Sequence, residues 1–197
     1  MYPLPDLADF ARSHVLSHFH SPSEETLDGV APAMDAHFVH QADDGSLLVI
    51  GVLFNEGEKT YPMLTAAIDA DPDSADADAN PVSGLALASA IPSGEFYTFQ
   101  GSLTTPPCTG GLQWFVATKP QSVSAAQIKA LKAVGASQGL ENGNARPTQE
   151  LNGRSVTLTS VPYSSSVPSD SSVPSNSAVR GMALGVTSFV IGAAMLI

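Results

Sequence analysis

The chain has 197 residues, with 8 Lys and Arg against 19 Asp and Glu, a net charge of −11 and a single cysteine. This length suits one domain with a sizeable core. The acidic balance excludes the basic surface that nucleic acid requires, and it argues against electrostatic docking on anionic lipid. A lone cysteine cannot close an internal disulfide, which by itself predicts a reducing compartment or an unpaired thiol.

Several segments of the first 160 residues have the apolar, β-branched or aromatic character of strands. They are residues 45–54, 96–99 and 112–117. A hairpin-like turn at residues 41–45 precedes the first of them and joins it to the stretch around His37 and His40. The pattern predicts a mainly β fold.

Helical periodicity is clearest over residues 124–134, which begin at a Ser cap and place Ile128, Leu131 and Val134 on one face. Residues 69–81 carry five Asp and two Pro but no large apolar side chain, and we interpret them as a solvated loop. The ordered ligand spacing of a calcium loop, with its closing Glu, is missing there.

The C-terminal part has a different composition. Residues 161–181 are rich in Ser and Pro and contain a near-exact tandem hexad, which predicts a disordered stalk after a folded domain at 1–160. Residues 182–197 are uncharged. They fit either a GPI-attachment signal or a short tail anchor, and we leave both open. The first twenty residues show no signal peptide, so we expect that sequence is missing upstream.

All five histidines lie between residues 14 and 40. His18 and His20 are two apart, so on a strand both imidazoles lie on the same face. A third histidine from a neighbouring strand would complete a three-histidine site with an open fourth position, as in catalytic zinc centres. His37 and His40 are three apart and face opposite sides of a strand, so only one of them can join.

The residues around these histidines resemble the α-class carbonic anhydrases. The similar motifs are His18-Phe19-His20-Ser21-Pro22-Ser23-Glu24, Asp35-Ala36-His37-Phe38-Val39-His40, Gly101-Ser102-Leu103-Thr104-Thr105-Pro106-Pro107-Cys108, and Asn144-Ala145-Arg146-Pro147 with Leu151-Asn152-Gly153-Arg154. Together with the mainly β pattern, this resemblance implies a large twisted, mostly antiparallel sheet with short peripheral helices, incomplete at its N-terminus. We therefore expect one open sheet edge.

The resemblance implies a Zn²⁺ site formed by His18, His20 and His37. It also implies that Thr104 accepts a proton from zinc-bound hydroxide and donates its own to Glu24, since an ionised carboxylate only accepts hydrogen bonds.

The resemblance also implies neighbours for this site. Asp35 would orient the third ligand, although the family has Glu there. The residues that would line the carbon dioxide pocket are Val39, Val49, Leu103, Thr105 and Trp114. Two departures from the family are Leu16, in place of a Gln beside the first ligand, and Glu25, in place of a histidine. The family's domain is also longer, so we expect that the proton-shuttle histidine and the cysteine that pairs with Cys108 are missing.

The implied function is reversible hydration of carbon dioxide to bicarbonate by a zinc enzyme, a monomer held at the outer face of the plasma membrane or in the cell wall. One alternative is a zinc-free, catalytically inert surface binding module of the same family. A metallohydrolase of another class would need a general-base Glu beside the metal, as in H-E-x-x-H, and the sequence has no such motif.

Overall fold

The computed structural model describes residues 14–42, 44–69, 90–137, 139–161 and 188–191. Within these ranges it has eight strands and two helices. The strands are β1 (His14–His20), β2 (Met34–Gln41), β3 (Leu47–Gly57), β4 (Gly94–Ser102), β5 (Gly110–Ala117), β6 (Gln121–Ser124), β7 (Thr157–Val161) and β8 (Ser188–Ile191), and the helices are α1 (Pro62–Asp69) and α2 (Ala125–Ser137). The mainly β prediction is confirmed.

The strands form one sheet in the order β7-β4-β5-β3-β2-β1-β8, with β6 pairing with β3 beside this path. Among the described strands, four neighbouring pairs are antiparallel: β1 with β2, β2 with β3, β4 with β5, and β4 with β7. Three are parallel: β3 with β5, β3 with β6, and β1 with β8. The sheet is thus mixed, with most of its neighbouring pairs antiparallel, as predicted.

The sheet has two different faces because successive side chains of a strand alternate. One face packs against the helices and holds the larger hydrophobic core, in which Phe19, Phe38, Ile50 and Phe54 are almost fully buried. The other face holds a smaller apolar cluster. Its buried members are Val39, Val49, Leu53, Leu112, Trp114 and Val116. The three clustered histidines described below lie on this second face.

Helix α2 begins where the sequence predicted, with the Ser124 hydroxyl accepting a hydrogen bond from the Gln127 backbone N–H at 3.3 Å. The Gln127 side chain joins the two helices. Its Oε1 accepts from the Tyr61 N–H at 2.9 Å, and its Nε2 donates to the Tyr61 carbonyl and the Thr65 hydroxyl, each at 2.8 Å. A buried amide therefore satisfies backbone groups at the start of α1.

The hairpin and the three strand segments are confirmed by β2, β3, β4 and β5. Most of the loop predicted at 69–81, and the Ser/Pro segment after residue 161, lie outside the described residues. Ser188–Ile191, from the C-terminal apolar segment, pairs in parallel with β1. This strand supplies the outer hydrogen bonds of β1, and the described sheet ends at β7 and β8, so the expectation of an open edge stays a prediction. No described helix is long and apolar enough to cross a membrane.

Candidate metal centre

Strand register brings three histidines together. His18 and His20 lie on the same face at the end of β1, and β2 runs antiparallel beside it with His37 directly opposite His18. His40 is also buried, but it lies on the opposite face of β2. The predicted grouping of His18, His20 and His37, without His40, is what the structure brings together.

The three imidazoles form a compact, buried cluster. Their relative exposures are 7 %, 1 % and 0 %, and one nitrogen from each lies within 4.8 Å of the others. The closest pair is His18 Nδ1 and His20 Nε2, 3.0 Å apart. Nitrogens bound tetrahedrally to Zn²⁺ at about 2.0–2.1 Å lie roughly 3.3 Å from one another, so the cluster has suitable dimensions.

Burial favours the neutral form of His18 and His20. Removal from water, and after it the neighbouring His37 and His20, lower the pKa of His18 to about 2. Burial also lowers the pKa of His20, followed by the effect of His37. A neutral imidazole retains a nitrogen lone pair, which is the form that binds a metal ion.

The arrangement fits a metal ion better than a hydrogen-bonded histidine cluster. His37 Nδ1 is buried and has no hydrogen-bond partner among the described residues. Buried polar atoms are normally paired, so an unpaired lone pair beside two other imidazoles requires an explanation. A cation held by three neutral imidazoles supplies one, and this ligand set is typical of zinc.

The outer nitrogen of His20 faces the chain near residue 144. His20 Nδ1 lies 3.3 Å from the Asn144 carbonyl oxygen. The Asn144 side chain is hydrogen-bonded to the backbone on both sides of His20. It donates to the Phe19 carbonyl at 2.8 Å and accepts from the Ser21 N–H at 2.9 Å. A donor at Nδ1 leaves the Nε2 lone pair of His20 directed at the cluster. The sequence motif contained Asn144 but gave it no role.

The outer nitrogen of His37 faces two carboxyl groups. Glu25 Oε1 lies 3.0 Å from His37 Nε2, whereas Asp35 Oδ1 lies 3.6 Å from the same nitrogen, beyond hydrogen-bond distance. Asp35 Oδ2 instead accepts from the Glu24 backbone N–H at 2.6 Å. The predicted contact of Asp35 with His37 is therefore not a hydrogen bond in this structure, because the shorter side chain is held by the backbone, and Glu25 makes the contact.

Glu25 and Asp35 form a buried acidic pair behind the histidines. Burial raises the pKa of Glu25 to about 7 and also that of Asp35 to about 7, and repulsion between the two carboxylates adds to the effect at Asp35. The Glu25 side chain is 15 % exposed and that of Asp35 is fully buried. The sequence marked Glu25 as a departure but assigned it no contact.

Glu24 and Thr104 line the same cavity, which has a volume of about 430 Å³. Glu24 Oε1 accepts from the Arg146 backbone N–H at 2.7 Å. Glu24 Oε2 and Thr104 Oγ1 are both buried, and neither has a hydrogen-bond partner among the described residues. The predicted hydrogen bond from Thr104 to Glu24 remains a prediction, and the two unpaired oxygens are the atoms that it would join.

An apolar wall adjoins the histidines. Val39, Val49 and Trp114 are buried in the smaller cluster, and Leu103 packs against it. The Trp114 ring meets His37 edge-on, with centroids 4.9 Å apart and an interplanar angle of 86°. The described contacts of Thr105 place it in the following turn, where its carbonyl accepts from the Cys108 N–H at 2.8 Å. Thr105 is not part of the apolar cluster.

The sequence as a whole is similar to one known protein family. The profile of the eukaryotic-type carbonic anhydrase family matches residues 3–160. The chain belongs to that family. It is 40 % identical to a carbonic anhydrase of Pectobacterium carotovorum over 142 residues, an alignment that covers 71 % of this chain. It is 42 % identical to alpha carbonic anhydrase 3 of Arabidopsis thaliana over 153 residues, which cover 73 % of this chain.

Solved carbonic anhydrase structures share the fold. The α-carbonic anhydrase of Thermovibrio ammonificans, solved with the inhibitor sulfanilamide, is 33 % identical with a TM-score of 0.59, covering 71 % of this chain and 60 % of that one. The chain spans about half the length of the curated relatives it matches, 55 % of the bacterial protein and 52 % of the plant protein. Membership of the family is therefore shown for the shared part.

Proposed function

We propose that the chain binds one Zn²⁺ through His18, His20 and His37 and catalyses the reversible hydration of carbon dioxide to bicarbonate. The observation that carries this proposal is the convergence of three buried imidazoles, with His37 Nδ1 left without a hydrogen-bond partner among the described residues. Zn²⁺ in such a site lowers the pKa of bound water to about 7 and so supplies a nucleophilic oxygen at neutral pH.

Glu24 and Thr104 would orient the attacking oxygen. Glu24 Oε1 is already occupied by the Arg146 N–H, so its unpaired Oε2 is the oxygen available to the Thr104 hydroxyl. A hydroxyl that donates to a carboxylate has only its lone pairs left to offer, so Thr104 Oγ1 would then accept a hydrogen bond from the nucleophile. This fixes the direction of the reacting lone pair and so lowers the entropic cost of aligning the nucleophile with its substrate.

The apolar wall suits a small uncharged substrate. Val39, Val49, Leu103 and Trp114 offer carbon dioxide a surface without competing hydrogen bonds, next to the histidines. Bicarbonate is anionic and gains nothing from such a surface, which favours its replacement by water. Thr105 would lie at the edge of this pocket.

The direct test measures zinc and carbon dioxide hydration with the purified full chain. We expect about one zinc per chain together with hydration activity, and we expect both to be lost in His37→Ala. His40→Gln is the matched control, because this histidine lies on the other face of β2. Circular dichroism checks that each variant is folded. A folded wild-type chain without zinc would contradict the enzyme proposal and favour the zinc-free binding module.

For the remainder of the chain we propose the division predicted from the sequence: a domain at 1–160, a stalk at 161–181 and a membrane-attachment segment at 182–197. The support is the tandem Ser/Pro hexad followed by an uncharged end. Attachment to a membrane would require Ser188–Ile191 to leave their pairing with β1. The protein would then be a monomer at the outer cell surface. Release from cells by a phosphatidylinositol-specific phospholipase supports a GPI anchor, whereas persistence on the membrane supports a tail anchor.

A further inference from the structure

We infer that Glu25, and not Asp35, is the positioning residue that directs His37 toward the metal. This inference rests on the proposed zinc site. Glu25 Oε1 is 3.0 Å from His37 Nε2, whereas the Asp35 carboxylate oxygen that faces the same nitrogen is 3.6 Å away. A carboxylate at this distance holds the proton on Nε2, so the lone pair of His37 lies on Nδ1, inside the cluster.

The Glu25 carboxylate is itself held in place. The Ser23 hydroxyl lies 3.5 Å from Glu25 Oε2, donates to the Glu25 carbonyl at 3.0 Å and accepts from the Glu25 N–H at 3.1 Å. The Ser23 backbone N–H in turn donates to the Pro32 carbonyl at 3.1 Å. These contacts fix the loop between β1 and β2, so the carboxylate can orient an imidazole.

The Asp35 carboxylate binds the backbone of Glu24 instead of the His37 ring. Its Oδ2 accepts from the Glu24 N–H at 2.6 Å, which ties Glu24 to β2, and its Oδ1 stays 3.6 Å from His37 Nε2. An aspartate is one methylene shorter than the glutamate that the α-class family has at this position. The chain therefore differs from the family at two positions near His37, namely 25 and 35. Glu25 makes the carboxylate contact with His37 that the shorter Asp35 does not make.

The test compares two matched isosteric changes, Glu25→Gln and Asp35→Asn, in the full chain. The dissociation constant for Zn²⁺ is measured by competition with a chelator. We expect Glu25→Gln to weaken zinc binding about 10- to 100-fold, the usual effect of removing the outer partner of a metal-binding histidine. Asp35→Asn is expected to change it by less than about threefold, since the amide oxygen still accepts from Glu24.

A rescue variant separates positioning from general damage. Asp35→Glu in the Glu25→Gln background lengthens the second side chain, and it should recover most of the lost zinc affinity. The visible spectrum of the Co²⁺-substituted protein supplies a readout of ligand geometry that a loss of stability would leave unchanged. We expect a changed spectrum in Glu25→Gln and a wild-type spectrum in Asp35→Asn.

The inference is overturned if folded Asp35→Asn loses as much zinc affinity as Glu25→Gln, or if the wild type binds a second Zn²⁺ that Glu25→Gln removes. If the wild type binds no zinc, the proposed function fails, but the Glu25 contact can still be tested. In the zinc-free protein, ¹⁵N NMR should show the His37 proton on Nε2, and Glu25→Gln should shift that resonance while Asp35→Asn leaves it in place.

Discussion

His18 of β1 and His37 of β2 are direct partners in the antiparallel register, with ring centroids 5.3 Å apart. Directly opposite residues in such a pair bring their side chains together on one face. His20, two residues after His18, then lies above the next cross-strand position, opposite Asp35. Two neighbouring strands thus bring three histidines together, while Asn144 and Glu25, from outside these strands, contact the outer nitrogens of His20 and His37.

Trp114 is the chain's single tryptophan and lies edge-on to His37, so its fluorescence reports on the site. Titration of the zinc-free protein with Zn²⁺ should change the Trp114 emission in a saturable way, with a break near one equivalent. The same titration of His37→Ala should give no such break. A wild-type emission that does not respond to zinc, in protein shown by metal analysis to bind it, would mean that the ring is farther from the ligands than described.

Gly143 lies where the chain passes closest to the end of β1. It has φ +93°, and a Cβ added there would overlap the Ser21 carbonyl oxygen and lie 3.0 Å from Pro22 Cδ. Gly143→Ala should therefore lower the free energy of unfolding and also displace Asn144 from His20, weakening zinc binding.

The matched control is Gly139→Ala. Gly139 has a similar φ of +81°, but an added Cβ would meet nothing within 4 Å. Its cost should be limited to the left-handed backbone strain, about 1–2 kcal/mol, with zinc affinity unchanged. Urea unfolding and chelator competition measure both quantities. Equal losses in the two variants would contradict the close contact with Ser21.

Gln127 links α2 to the start of α1 through buried hydrogen bonds to Tyr61 and Thr65. Gln127→Leu keeps the volume but removes the acceptor of the buried Tyr61 N–H, which should cost about 1–3 kcal/mol of unfolding free energy. The same change at the exposed Gln41 should stay within about 0.5 kcal/mol. Chemical denaturation distinguishes them, and a neutral Gln127→Leu would show that water replaces the amide.

The Tyr61 phenol gives the protein a defined response to alkaline pH. Burial raises the pKa of Tyr61 well above its ordinary value of about 10, and its hydroxyl donates to the Ala90 carbonyl at 2.9 Å. Above pH 10 the unfolded chain loses this proton while the folded chain keeps it. The free energy of unfolding therefore falls as pH rises, by up to about 1.4 kcal/mol per pH unit from this one group.

Tyr61→Phe should remove that part of the alkaline decline, so its stability relative to wild type improves steadily above pH 10. Tyr97→Phe, at a position 37 % exposed, should decline in parallel with wild type. Urea unfolding between pH 8 and 11 checks this. Parallel curves for Tyr61→Phe and wild type would show that the phenol ionises equally in both states.

Local patterns in the sequence were sufficient to predict the strands and the shared face of His18 and His20. The apolar run at 45–54, the turn at 41–45 and the two-residue spacing of His18 and His20 each act over a few residues, and a strand has a fixed side-chain period of two. The same patterns left His37 and His40 open as the third histidine, because they do not specify which strand pairs with that of His18. The choice of His37 came from the resemblance to the α-class carbonic anhydrases.

The tertiary structure decided what surrounds those ligands. Asn144 reaches His20 across 124 residues, the parallel pairing of β3 with β5 brings Trp114 beside His37, and β8 pairs along β1. The choice between Glu25 and Asp35 depended on a difference of 0.6 Å in their distances to one nitrogen. Sequence periodicity fixes the face on which a side chain lies, whereas such distances depend on how remote segments pack together.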